Sequence, residues 1–432
     1  MVHVIIVLPG TTGTSLVESQ AEEASLKPLW MQGVLTELKL EPLTGVAATT
    51  AQMEKTTLWA GRPGGYGKID KTTGGPAGYA SLIDSIVAAA KTAGATYTAM
   101  YTNWPTDSPP LAATSAQSWG LTLPLTGNAV IGWGYDWRQD NLAVTGPMLQ
   151  NFLYNLTGTG SQVDRITLIG HSMGGLVSRS YIEAVGPQSK NPQDAKILGM
   201  IDQLITLGTP HLGAPLALGP ISHTFTIDVH GQASGNIFLK AFTAILGDVE
   251  QFVADHAIDM VQNVVNSNPM GVSTYQLLPT VPFIQSGGTN YPVYPFGSLP
   301  SGLQGLLKDT DINQENLTAA TTFFGQLDYT GAKQTIPYQC LYGIVSTSFP
   351  PYGQENMFTT VTGYTYTPGK DPLVEVQTNG GGDLVVPITS ATFTGNTSPL
   401  IKTYPIDGAD HMTMPNNPAI QSQVNTLLNF AS

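Results

Sequence analysis

Along this chain, short apolar runs bounded by glycine or proline alternate with segments whose apolar residues recur at helical spacing. The runs Val2–Leu8, 129–135, 166–170, 203–207 and 338–345 are nearly continuous, which predicts strands buried on both faces. In 79–93, Leu82, Ile83, Ile86, Val87 and Ala90 share one stripe. In 144–156, Met148, Leu149, Phe152 and Leu153 do the same, so both segments predict amphipathic helices. A last helix is predicted near 418–430, capped by Asn416 or Asn417. Strands alternating with helices imply an α/β fold, with a mostly parallel central sheet flanked by helices. The segment 359–378 alternates Tyr, Thr and Val and reads as a hairpin beside that sheet.

Two stretches interrupt the rhythm. Residues 17–78 hold Trp30, Trp59 and a Gly/Pro-rich piece at 61–67. Residues 212–335 combine a helical run at 238–265 with a Pro/Gly/Tyr-rich stretch at 279–300. Both follow strand ends, where insertions in α/β folds gather around the site. The expected organisation is a core from 1–211 and 336–432, a first insertion at 17–78 near the active site, and a cap or lid at 212–335. Surface elaboration unrelated to the site is the alternative.

Composition narrows the function. Hydrophobic residues form 41% of the 432 residues, enough for a large core, while charged residues are only 11%, well below the usual quarter. A formal net charge of -13 repels phosphate polyanions, so nucleic acid is not an expected partner. Anionic membranes are disfavoured for the same reason, leaving a neutral substrate or a transient contact with a neutral lipid interface. Cys340 is the only cysteine, which excludes an internal disulfide and a thiolate zinc site. The N-terminus has no basic region or small-residue cleavage site and reads as a buried strand, not a signal peptide. A secreted mature form with an added Met would read the same, so secreted and cytoplasmic locations both stay open. No apolar run approaches the roughly 20 residues of a membrane span. Nothing in the pattern sets an oligomeric state.

Gly170-His171-Ser172-Met173-Gly174-Gly175 matches G-x-S-x-G. The pattern is common in so glycine-rich a chain; its setting is not. An apolar strand, Ile166-Thr167-Leu168-Ile169, runs directly into it, and a helix-forming segment from Leu176 runs out. A sharp strand-to-helix turn exposes the serine hydroxyl and sets the next N–H at a helix start, where an oxyanion is stabilised. This is the nucleophile elbow of the α/β-hydrolase fold, and it makes Ser172 the candidate nucleophile.

A serine attacks an ester at neutral pH only with a base to take its proton and an acid to orient that base. In this fold the order along the chain is Ser, Asp or Glu, then His. His211, His223, His230 and His256 lie in or beside the presumed cap, whereas His411 follows the last strands and precedes the final helix. His411 is therefore the candidate base. Asp383 follows Gly380-Gly381-Gly382, which permit a tight turn, and is the candidate acid. Asp407 and Asp410 compete for that role, but the side chain of Asp410, adjacent to His411, is expected to point away from the imidazole. For the oxyanion, the turn Pro9-Gly10-Thr11-Thr12-Gly13 after the first strand suggests the N–H of Thr11, with Thr12 next, paired with that of Met173. A phosphate-binding turn is the rival reading, but neither GK[ST] nor G-x-G-x-x-G is present. No cofactor or metal is expected, and no calcium loop is recognisable.

With these residues in place, the chain resembles the lecithin:cholesterol acyltransferase-like lipases and acyltransferases. Val7-Leu8-Pro9-Gly10 is similar to that family's first strand and oxyanion turn. Tyr135-Asp136-Trp137-Arg138 resembles its YDWR segment, and Gly170–Gly175 with Leu207-Gly208-Thr209-Pro210-His211-Leu212-Gly213 its elbow and following stretch. Cys340-Leu341-Tyr342-Gly343, Gly382-Asp383 with Val386-Pro387, and His411-Met412 resemble its CLYG strand, acid turn and histidine loop. The resemblance implies Ser172, Asp383 and His411 as the triad and Thr11 and Met173 as the oxyanion hole. The chain departs from the pattern at Leu384-Val385, where Gly-Thr is usual, and in lacking the lid cysteines of animal members. The cap stretches match poorly, so substrate identity does not transfer.

Three functions follow. The first is a lipase, esterase or phospholipase acting through an acyl-serine. The second is an acyltransferase, in which an alcohol captures the same intermediate. The third is a lipid-binding module without catalysis, which would ordinarily have lost a triad member.

Overall fold

The computed structural model describes residues 2–11, 13–17, 59–63, 79–102, 121–222, 227–228, 232–233, 271–293, 299–308, 312–346, 359–368 and 370–430. The helical run expected at 238–265 and most of 17–78 lie outside the described residues.

Among the described residues the main sheet has seven strands, all parallel to their neighbours: β1 (Val2–Leu8), β2 (Tyr97–Tyr101), β3 (Asn128–Gly132), β4 (Val163–His171), β5 (Ile201–Leu207), β6 (Tyr338–Ile344) and β7 (Ile401–Asp407). Their spatial order is β7-β6-β5-β4-β1-β3-β2. This is the mostly parallel sheet predicted, and the fold is that of the α/β-hydrolases.

Alternation along β1 shows why its sequence is apolar throughout. Val4, Ile6 and Leu8 enter one core, together with Ile166, Leu168 and Leu204. Ile5 and Val7 enter the other, with Val130, Ile169, Ile205 and Leu207. Helix α1 (Tyr79–Thr92) covers this second face with Leu82, Ile83 and Ile86, beside α6 (Pro418–Leu428) with Ile420, Val424 and Leu428. The first face is covered by α2 (Gly146–Leu156), through Met148, Leu149, Phe152 and Leu153, and by α3 (Met173–Arg179). Two helices, α4 (Pro192–Met200) and α5 (Gln314–Gln326), complete the numbered set. Asn417 caps α6, its side chain accepting from the N–H groups of Ala419 and Ile420.

Strands β2 and β7 had no counterpart among the predicted runs. Both lie at sheet edges and are half exposed, so polar residues interrupt their apolar pattern. Pro405 sits in β7, an edge where a missing N–H is tolerated. The expected hairpin forms from Thr359–Thr367 and Lys370–Asn379. It belongs to a separate four-stranded sheet, pairing in parallel with Ile284–Ser286, rather than extending the main one.

The strand order reverses at β1. From there the chain goes out to β2 and β3 on one side and to β4–β7 on the other. In open α/β sheets the crevice at the carboxyl ends beside such a switch point is where ligands bind. The turn after β1 and the elbow after β4 meet there.

Candidate active site

β4 ends at His171, α3 starts at Met173, and Ser172 turns between them with φ 52° and ψ -124°. That conformation is strained for an L-residue, as expected at an elbow. Its neighbours must be small. A Cβ on Gly170 would lie 2.4 Å from the backbone nitrogen of Gly175, and one on Gly174 would lie 2.4 Å from the carbonyl oxygen of Leu8. The turn is tied to the sheet because Ser172 N–H donates to the Leu207 carbonyl at 2.8 Å.

The structure brings the three predicted side chains together. Ser172 Oγ is 2.8 Å from His411 Nε2, and His411 Nδ1 is 2.8 Å from Asp383 Oδ2. All three residues are buried, Asp383 and His411 to within 1%. The second carboxylate oxygen of Asp383 accepts from the N–H groups of Val386 at 2.7 Å and Val385 at 3.1 Å. Its remaining oxygen is thereby aimed at the imidazole, which fixes the proton on Nδ1 and leaves the Nε2 lone pair facing the serine. The acid turn is held to the end of β6, where Val345 N–H donates to the Gly382 carbonyl and Gly380 N–H to that of Val345. Gly208, at φ +56°, makes room for the pair: a Cβ there would lie 2.7 Å from Asp383 Oδ2 and 3.0 Å from His411 Nδ1.

Asp410 is not part of this chain. Its carboxylate accepts from the N–H groups of Met412 and Thr413 and from the Thr413 hydroxyl, closing the histidine loop on itself. His211 also lies elsewhere. It is fully buried, stacked on Phe393 at 4.9 Å between ring centroids, with Nε2 near Thr206 and Cys340. His223, His230 and His256 lie outside the described residues. Thr12, the second choice for an oxyanion donor, also lies outside them.

Thr11, in the turn after β1, touches Met173 at the start of α3, the Thr11 hydroxyl lying 3.6 Å from Met173 Sδ. Above Ser172, a cleft is lined by Thr11, His171, Pro210, Ala214, Leu216, Ala217, Leu277, Val385, Val386, His411 and Met412. Apart from Thr11 and the histidines its walls are apolar. They suit a hydrocarbon or other uncharged group more than an ionic one.

Two residues of this neighbourhood were not singled out as site residues. His171, inside the elbow motif, is buried beside His411, with 5.0 Å between ring centroids. Burial, and then the neighbouring His411, hold its imidazole well below the usual histidine range, so it stays neutral. Tyr79 opens α1, and its hydroxyl lies 2.7 Å from His171 Nδ1. The position of His171 next to the nucleophile was a usable signal. Tyr79, 92 residues before His171 in sequence, carried none.

Comparison with known proteins agrees with the architecture. A family model described as a PGAP1-like alpha/beta domain matches residues 147–274, which include the elbow. No curated protein matches the chain. Among solved structures, the Tle4–Tli4 complex is similar over 99% of this chain and 98% of that chain, at 12% identity and a TM-score of 0.52. The Bacillus licheniformis lipase BlEst2 in mature form is similar over 76% of this chain and 90% of that chain, at 16% identity and a TM-score of 0.31. EstA from Clostridium botulinum is similar over 78% and 87%, at 13% identity and a TM-score of 0.35. Identities this low speak to the fold alone, and TM-scores as low as the last two add nothing to it. The α/β-hydrolase fold is supported; the lecithin:cholesterol acyltransferase-like family is not singled out.

Proposed function

We propose that this protein is a serine hydrolase that cleaves a carboxylic ester through an acyl-Ser172 intermediate. The observation that carries the reading is the unbroken hydrogen-bonded line from Ser172 Oγ through His411 to Asp383, 2.8 Å at each step, at the floor of an apolar cleft. Ser172 Oγ attacks the ester carbonyl while His411 Nε2 takes its proton and Asp383 stabilises the imidazolium. The N–H groups of Thr11 and Met173 receive the developing oxyanion, each contributing about 3 kcal/mol to the transition state. His411 returns the proton to the leaving alcohol, and water then releases the acid by the reverse sequence. The mechanism calls on no metal or cofactor.

The apolar walls and the net charge of -13 favour an ester of the lipase, esterase or phospholipase type, its acyl group uncharged and its head group neutral or zwitterionic. Residues 212–335 are read as the cap over this cleft, since Leu216 and Leu277 reach its wall from that stretch. An acyltransferase, in which an alcohol instead of water captures acyl-Ser172, is the second reading, favoured by the motif resemblance to lecithin:cholesterol acyltransferase-like proteins.

Hydrolysis of p-nitrophenyl esters of graded chain length, with fluorophosphonate labelling, tests the proposal. The wild type should be labelled and active, and Ser172→Ala should be neither. Wild-type turnover by Ser172→Ala would remove the nucleophile assignment, and an unlabelled wild type would favour a binding module. Formation of a new ester when long-chain alcohol is added separates transfer from hydrolysis.

A further inference from the structure

Behind the three central side chains runs a second line of hydrogen bonds. The Gly10 N–H, in the turn after β1, donates to Tyr79 Oη at 2.9 Å. Tyr79 Oη lies 2.7 Å from His171 Nδ1, and His171 Nε2 lies 2.9 Å from the carbonyl oxygen of His411. The last contact settles the direction of the others. A carbonyl can only accept, so the His171 proton is on Nε2. Nδ1 then accepts, and Tyr79 donates to it while accepting from Gly10. On its other side the His411 backbone is also fixed, the residue's N–H donating to the Asp383 carbonyl at 2.9 Å.

We infer that Tyr79 and His171 are positioning residues that hold the turn at Gly10 and the backbone of His411 at a set distance across Ser172. The inference rests on the serine-hydrolase reading above. The turn touches the nucleophile, because a Cβ on Gly10 would lie 2.7 Å from Ser172 Cβ. A small displacement of it therefore moves the Thr11 N–H relative to the forming oxyanion. The other end bears on the base: a shift of the His411 peptide turns the ring that must meet both Ser172 and Asp383. The relay has to remain uncharged, since a second imidazolium 5.0 Å from His411 would oppose the one that forms in catalysis. Burial of His171 keeps it neutral. The pinning is two-sided, as Tyr135 Oη donates to the Pro9 carbonyl at 2.7 Å from the opposite core.

The test uses the full chain and normalises every rate to active sites titrated with a fluorophosphonate. Tyr79→Phe keeps the ring in the core and removes only the hydroxyl. Its kcat on a p-nitrophenyl ester should fall on the order of ten-fold with KM within about two-fold. The phosphonylation rate of Ser172 should fall by a similar factor. At His171, Gln carries an N–H that reaches toward the His411 carbonyl and Met does not, so His171→Gln should retain several-fold more activity than His171→Met. Wild-type rates per titrated site in Tyr79→Phe, or equal rates in the two His171 variants, would overturn the relay and leave the serine mechanism standing. A wild type that neither labels nor turns over overturns both.

Discussion

The line from Ser172 through His411 to Asp383 shows how much of the candidate site rests on backbone groups behind it. Asp383 aligns His411 because its other oxygen is held by the N–H groups of Val385 and Val386. Asp383→Asn can keep those contacts, yet it can offer the imidazole a donor and stabilise the wrong tautomer. Its kcat is expected to fall by about 10⁴-fold with little change in thermal midpoint, measurable by esterase kinetics and calorimetry. A Tm loss matching the activity loss would instead assign Asp383 a structural task. Leu384, beside it, has φ +79°, a left-handed conformation that glycine adopts freely. Leu384 stands where the resembled family's pattern has Gly, and the turn strains it. Leu384→Val should lose about 1–2 kcal/mol relative to Leu384→Gly in urea melts, because branching at Cβ makes that φ worse. That Ser172 and His411 meet was legible in the sequence, since strand, motif and chain order pair them. Tyr79 was not, because only the docking of α1 against β2 and β3 brings its hydroxyl to His171 at the end of β4.

At the scale of elements, legibility followed burial. The central strands carry apolar side chains to both faces and were visible as runs; β2 and β7 alternate with solvent and were lost among turns. The Tyr135-Asp136-Trp137-Arg138 segment is structural, its side chains being core and its backbone the joint. Asp136 and Arg138 form a wholly buried ion pair at 2.6 Å, and Trp137 is buried beside them. The carbonyl of Trp137 accepts from the Ser273 hydroxyl at 2.6 Å. Three residues on, Gln276 accepts from the Asn141 N–H at 2.8 Å and donates to Asp140 at 2.7 Å. These bonds fix the short helical turn Val272–Tyr275 to the core. They also fix Leu277, whose carbonyl accepts from the Ala214 N–H and whose side chain lines the cleft. Gln276→Ala leaves the Asn141 N–H buried without its acceptor and should lower stability by about 1–3 kcal/mol in urea unfolding. If Leu277 is set by this joint, KM for longer acyl esters should also rise while kcat changes less. A stability loss with an unchanged chain-length profile would separate the two effects.

Over the whole molecule, the acid response should be governed by buried imidazoles as much as by carboxylates. His3, in β1 between the side chains of Tyr97 and Thr167, is held down to about 4, first by burial and then by Arg165. His171 and His211 lie well below 6.5 as well, both chiefly through burial. Each is neutral in the native protein, while its unfolded counterpart takes up a proton near pH 6.5. The unfolded state therefore binds more protons below that pH, and stability must fall as the pH drops. The loss begins near 6.5; for His3 it ends near 4 and amounts to about 3 kcal/mol. At the same time the net charge, -13 at pH 7, shrinks toward zero at the sequence pI of about 4.8, which relieves self-repulsion and opposes the loss. The two trends can be separated because only one of them depends on His3. Urea unfolding free energies measured between pH 6.5 and 4.5 should fall steeply in the wild type. In His3→Gln the slope should be shallower by about 1.4 kcal/mol per pH unit, the equivalent of one proton. An unchanged slope would mean that native His3 already carries its proton in this range, and the buried neutral imidazole would have to be abandoned.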